Sequence, residues 1–209
     1  MVQFSTYSVL VPIILGIIQI KNLNRYLLAL LALVIFSGLS DWVVMVDFGY
    51  RDIAWPTYRI LQFLLVSTIF LSVTSSPFNR RLVYSFLGVF IIYFPFHFFF
   101  FKDPATLFPN LKIIAVFLYM ILSISFFLEI YNEVKFDNLF LYPFFWINVG
   151  ILIYFSGNLF LTLSYNIFSM EKVYKLYLVI HSLLNGVKNL LFGVAFIVHF
   201  LEIRKKALI

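Results

Sequence analysis

Seven stretches of mainly apolar residues, each near the length of about 20 that a helix needs to cross a bilayer, fill this chain almost end to end. They run over roughly residues 4–20, 26–47, 55–75, 82–101, 111–132, 141–165 and 174–203. Inside hydrocarbon every backbone N–H and C=O must bond within its own segment, so such stretches fold as helices. The breaks fall on turn chemistry: Lys21-Asn-Leu-Asn24, Asp47 to Asp52, Ser75-Ser-Pro-Phe-Asn79, Lys102-Asp-Pro104 with Pro109-Asn110, Glu133 to Asn138, and Asn166 to Glu171. Pro12, inside the first stretch, is read as a kink because membrane helices tolerate proline. The expected fold is all-α: one seven-helix transmembrane domain over residues 1–209.

Composition agrees. Hydrophobic residues make up 63% of the chain and charged residues only 11%, more apolar surface than a soluble domain of 209 residues can hide. Without cysteine there is no disulfide, thiolate metal ligand or thiol nucleophile. The net charge of +6 is spread over loops, with no basic cluster that suits nucleic acid. The N-terminus lacks the basic region and small-residue cleavage site of a signal peptide, so it is expected to stay. A multi-pass protein of the cytoplasmic membrane follows, with membrane lipids as its constant partners.

Basic residues orient it. With the N-terminus outside, the inner side carries Lys21, Arg25, Arg80, Arg81, Lys135, Arg204, Lys205 and Lys206. The outer side carries Arg51, Lys102, Lys112, Lys172 and Lys175, with Arg59 just inside the third span. The bias favours N-out/C-in.

The polar residues within the spans carry what information there is about function. In the last span His181, Asn185, Lys188, Asn189 and His199 fall within an arc of roughly 100°, with Ser182 at its edge, at about 100° per residue. In the sixth, Asn148, Tyr154, Asn158 and Thr162 share an arc of about 120°. Asp41 lies roughly 9 Å below the outer end of the second span, at about 1.5 Å per residue. Gln62, His97, Asn158 and His181 lie at similar depth, while Asn148 sits nearer the inner face. Polar groups chosen this way face other helices or a wet cavity. Asp41 needs a partner, and matched depth favours His181 over the deeper Lys188. Three readings stand beside one another. The layer forms an outward ligand or proton site, it bonds helices together, or Asp41 and the histidines hold a metal, for which no local spacing argues.

Lys188 stands where retinal proteins carry their Schiff base. Microbial rhodopsins place an Asp four residues earlier, where this chain has Leu184, and Tyr142-Pro143 lies at the wrong end of the sixth span. No chromophore or other cofactor is expected. Glu129, Glu133 and Glu202 are expected to meet Arg80, Arg81 or the tail, Arg59 to snorkel outward, and Phe94-Pro-Phe-His-Phe-Phe-Phe-Phe101 to form an interfacial aromatic belt.

Pro143-Phe-Phe-Trp-Ile-Asn-Val-Gly-Ile-Leu-Ile-Tyr-Phe-Ser-Gly-Asn-Leu-Phe160, followed by His181-Ser-Leu-Leu-Asn-Gly-Val-Lys-Asn-Leu-Leu-Phe192, resembles short seven-helix proteins of Bacteroidetes bacteria. Those often lie near, or are fused to, sensor histidine kinases. Trp146, Asn148, Tyr154, Ser156, Gly157, His181, Asn185 and Asn189 match the pattern, and Lys188 departs from its usual apolar residue. The resemblance implies a sensory or accessory role, with a histidine kinase as partner. Separately, Phe36-Ser-Gly-Leu-Ser-Asp41 resembles the second-span motif of bacterial lysoplasmalogenases, with Ser40 where that family has Gly.

The expected function is a receptor-like sensor that binds a small or lipophilic ligand in an outward polar pocket and signals to a cytoplasmic partner. A small transporter and a lipid hydrolase using Asp41 and His181 are the alternatives. The transporter is expected to repeat its first three spans in its last three, and no such repeat is visible.

Overall fold

The computed structural model of the chain describes the backbone of residues 2–46, 51–100, 104–133, 138–168 and 171–207, and the side chains of 4–43, 57–93, 113–131, 138–161 and 176–205. All regular structure among the described residues is helical. Eight α-helices follow in order: α1 (Val2–Ser8), α2 (Leu10–Ile18), α3 (Arg25–Val46), α4 (Arg51–Val73), α5 (Pro77–Phe100), α6 (Pro104–Glu133), α7 (Pro143–Phe168) and α8 (Glu171–Ala207). Single 3₁₀ turns at Ile20–Asn22 and Leu139–Leu141 lead into α3 and α7.

α1 and α2 together form the first expected span. The proline at Pro12 has no N–H to give the carbonyl of Ser8, and its ring crowds that carbonyl. The helix is interrupted at Val9 alone, whose backbone stays helical at φ −66° and ψ −23°, so the chain kinks and continues. Proline starts α5, α6 and α7, where a missing N–H costs nothing.

Four described helical segments are long and apolar enough to cross a membrane: Arg25–Val43, Ile113–Tyr131, Pro143–Leu161 and Leu176–Lys205. Phe4–Ile18 and Thr57–Val73 are apolar but shorter. In α5 the apolar run continues into residues whose side chains lie outside the described set.

Neighbours in sequence are neighbours in space, and α8 closes the bundle. It packs along α7 and also touches α1, α2 and α3. The burial pattern is consistent with a membrane protein. Ile18 is 73% exposed, Ile92 71% and Phe160 70%, while Asn148 and Asn189 are fully buried. Water would drive the opposite arrangement.

Aromatic rings fill the centre. Phe144 of α7 meets Phe70 of α4, Phe126 of α6 and Tyr26 of α3 edge-on, with centroids 5.5, 4.3 and 6.0 Å away. Phe63 of α4 stacks on Phe90 of α5 at 4.2 Å. One ring on α7 thus locks three other helices.

Close approach of α2 to its neighbours depends on Gly16. A Cβ there would lie 2.7 Å from Leu31 Cδ1 and 3.1 Å from Phe196 Cζ, both on buried side chains. At Gly88, in the middle of α5, a Cβ meets nothing within 4 Å. Gly16→Ala is therefore expected to destabilise the bundle by roughly 1–3 kcal/mol through overpacking. Gly88→Ala is expected to be neutral or to stabilise by up to about 1 kcal/mol through helix propensity. Unfolding of both variants in detergent checks the contrast.

Candidate functional site

The polar residues of the spans separate into groups with different physical roles. The first joins α8 to α1. Asn185 Nδ2 donates to Ser5 Oγ at 2.6 Å, and Asn189 Nδ2 donates to Ser8 Oγ at 2.9 Å. Ser8 Oγ in turn donates to the Ser5 carbonyl at 2.7 Å. Serines three apart on one helix thus meet asparagines four apart on another, the spacing that keeps both pairs on facing stripes. The asparagine Oδ1 atoms find no hydrogen-bond partner among the described residues. Nothing in the apolar first span singles out Ser5 and Ser8 until it is laid beside Asn185 and Asn189.

Two further asparagines serve α7. Asn148 Nδ2 donates to the Ser123 carbonyl of α6 at 3.0 Å. Asn158 Nδ2 donates to the Tyr154 carbonyl at 2.8 Å, which leaves Asn158 Oδ1 to accept from His181 Nδ1 at 2.6 Å. Tyr177 lies parallel to the His181 ring with centroids 5.9 Å apart. At the other end of α8, His199 Nε2 donates to the Asn22 carbonyl at 3.0 Å. Apart from the Asn158–Tyr154 bond, which lies within α7, these contacts tie one element to another and are of the kind worth about a kilocalorie or less apiece.

Lys188 is different. It is only 5% exposed, and its ammonium lies over the Tyr154 ring at 4.2 Å and at 5.9 Å from that of Phe192. The carboxylate that acts on it is Asp41, and Arg59 adds a second positive field. Lys188, rather than the His181 expected from depth, is the charge that acts on Asp41, and helix direction explains the difference. Side chains tilt toward the N-terminus of their own helix. α3 and α8 run antiparallel, so Asp41 leans toward the basic end while Lys188 leans away from it, and the long lysine stem spans the remaining depth.

Lys188 also lines a small cavity together with Gln62, Ser37, Tyr58 and apolar groups that include Val66, Ile151 and Phe155. It has space for about one water molecule. Tyr58 and Ser37 are hydrogen-bonded to each other through their side chains. Gln62 is 4% exposed. Gln62 and Lys188 thus share this cavity, the Lys188 ammonium lies over Tyr154, and Asp41 acts on it by charge, whereas Asn148, Asn158, His181, Asn185 and Asn189 bond neighbouring helices. The His97 side chain lies outside the described residues, as do those of Thr162, Glu133 and the Phe94–Phe101 belt. Among the described residues, no group of three His, Asp or Glu side chains could hold a metal ion.

A second built site was read quite differently in the sequence. Glu129 of α6 does not go to Arg80 or Arg81. Its Oε2 accepts from Thr74 Oγ1 at 2.5 Å and Asn79 Nδ2 at 2.6 Å. Its Oε1 accepts from the backbone N–H of Ser75 at 2.7 Å, the Ser75 hydroxyl at 3.0 Å and the backbone N–H of Ser76 at 2.8 Å. Ser125 Oγ donates to Asn79 Oδ1 and fixes that amide from the far side. These donors come from the turn that starts α5, where helix N–H groups are unpaired and the dipole is positive. Arg80 instead donates through Nε to the Thr74 carbonyl at 3.2 Å. The signal was present in Thr74-Ser-Ser-Pro-Phe-Asn79, a helix-start sequence rich in donors opposite a lone acid.

Compared with known proteins, the chain matches no family model, no curated protein and no solved structure.

Glu129→Leu would strand five donors at once, and Glu129→Gln would set an amide NH₂ against donors. Glu129→Leu is expected to destabilise by about 3–5 kcal/mol, and Glu129→Gln by less because one oxygen still accepts. Thermal unfolding in detergent tests the order. Equal stability of all three proteins would show that the carboxylate does not hold the turn.

Proposed function

We propose that this chain is a receptor-like sensor module of the cytoplasmic membrane, with seven spans, N-out and C-in, whose signal is received at Lys188, Asp41, Gln62 and Tyr154. One observation carries the reading. Many polar side chains of the core are bonded from helix to helix, whereas among the described residues Lys188 lines a cavity and is held by aromatic faces and the field of Asp41. Structural cohesion does not call for a charge there, because burying one costs several kilocalories that an apolar residue avoids. A group kept at that cost is poised to respond to what enters the cavity.

The ends of the same helices would carry the signal onward. Lys188 lies on α8, whose last turns bear the exposed Arg204 and Lys205. The likeness of α7 and α8 to proteins that accompany sensor histidine kinases supports a kinase as the receiver. The alternatives find less support. A hydrolase needs Asp41 and His181 to act together, and Asn158 takes His181 while Lys188 acts on Asp41. A transporter needs a path past its polar core, and the cavity beside Lys188 has space for about one water.

A photo-crosslinking residue in place of Lys205, in cells of the native host, tests the assignment. The expected result is an adduct with a sensor histidine kinase whose yield changes in the Lys188→Met background. Solute flux through liposomes holding the chain alone would favour the transporter instead. A reporter fused after Ile209 is expected to be active in the cytoplasm, and activity in the periplasm would overturn the orientation.

A further inference from the structure

α8 runs on past the helix that covers one of its sides. Gly193 is the notch in which α2 sits, a Cβ there lying 3.0 Å from Val11 Cγ1 and 3.7 Å from Leu15 Cδ1. At about 100° per residue the same stripe of α8 continues through Ile197, Phe200 and Arg204, all within roughly 40° of Gly193. α2 ends at Ile18, and the turn after it is tied to α8 by the His199–Asn22 bond of 3.0 Å. Toward that end the stripe emerges from cover. Ile197, Phe200 and Arg204 are exposed, as are Ile18 and Lys21 at the end of α2. Lys21 adjoins Asn22, and Arg204 follows His199 by five residues, about 7.5 Å along the axis, so the bond between them holds both cations at one rim. The Arg204 guanidinium is drawn back over the Phe200 ring, 5.5 Å from its centroid.

Nothing on the protein neutralises that rim. Glu202, the nearest described carboxylate in sequence, points about 180° away from Gly193, to the opposite side of α8. Among the described residues neither Lys21 nor Arg204 is paired with a carboxylate. Exposed apolar side chains with two unpaired cations at their end match the shape of a phospholipid, chain below and phosphate above. A head group of net negative charge fits best, because the ammonium of a zwitterionic head would meet the same two cations. An acidic protein surface would satisfy the cations and leave Ile18, Ile197 and Phe200 uncovered. We infer that the α2–α8 edge is a docking site for one anionic glycerophospholipid, its phosphate at Lys21 and Arg204 and an acyl chain along Ile18, Ile197 and Phe200. The inference rests on the membrane placement proposed above and not on the sensing role. Lys205 lies about 100° further round α8, so the crosslinking position is off this edge.

The test unfolds the purified full chain thermally in detergent while phosphatidylglycerol, phosphatidylcholine of the same acyl chains, or inorganic phosphate is added. Phosphatidylglycerol is expected to raise Tm by roughly 2–6 °C along a saturating curve, with little rise from the other two. Lys21→Gln combined with Arg204→Gln, both at exposed positions that folding does not depend on, is expected to move the midpoint to roughly tenfold more lipid or beyond. Arg81→Gln, an exposed cation on α5, which packs with α4 and α6, is expected to leave the midpoint in place. Equal responses to the two lipids would overturn the site and leave these cations to an acidic protein surface. So would an unchanged midpoint in the double variant, an equal shift in Arg81→Gln, or a rise that inorganic phosphate reproduces. A chain that stays monomeric in buffer without detergent would sink the membrane placement itself. Because the assay contains no kinase, loss of the crosslink and loss of the lipid preference are read separately.

Discussion

A polar group buried inside this bundle is cut off from bulk solvent, and that single constraint arranges the molecule. Each buried amide, hydroxyl or imidazole that is to be stabilised must find its partner on its own or a neighbouring helix. Among the described residues α8 carries the most such groups: it bonds α1 through Asn185 and Asn189, α7 through His181 and the turn at Asn22 through His199, and it also packs on α2 and α3. The first helical pair, weak as a membrane span by length, is held in place by those amide–hydroxyl bonds and by glycine at Gly16.

The two buried charges among the described residues, Glu129 and Lys188, solve the same problem in opposite ways. Glu129 is given five donors and the positive end of a helix, so its charge is dispersed over a rigid turn between α4 and α5. This locks α6 to the start of α5 and leaves little for the carboxylate to respond to. Lys188 is given a ring face, a carboxylate at a distance and a small cavity. Its stabilisation is mainly by long-range fields, which change when another charge arrives. Satisfaction marks the structural acid, and its incompleteness marks the candidate receiving site.

Helix boundaries were legible because turn residues and prolines punctuate the apolar runs: the expected 26–47 is Arg25–Val46, and the expected kink at Pro12 interrupts only Val9. The polar arc of the last span was legible too, since helical rotation is regular enough to bring its members to one side. Partners were harder to read. Depth estimated along Cα positions ignores the tilt of side chains, so it favoured His181 for Asp41, whereas opposed tilts direct Asp41 and Lys188 toward a common depth and Lys188 acts on Asp41 by charge. Ser5 and Ser8 were missed because two hydroxyls barely change the hydropathy of a span. Glu129 was assigned to arginines because charge complementarity is visible in sequence, whereas a ring of unpaired N–H groups appears only once the turn is folded.

The account depends most on Asp41 and Lys188 sensing each other in the core, and a double-mutant cycle measures that directly. Unfolding free energies of the parent, Asp41→Asn, Lys188→Met and the combined variant isolate the coupling between them. Each single change leaves one charge without its opposite, so the double variant is expected to be more stable than the sum of the single losses by about 1 kcal/mol or more. Additive losses, with no coupling beyond error, would mean that the two side chains do not share a site and would contradict the charged core described here.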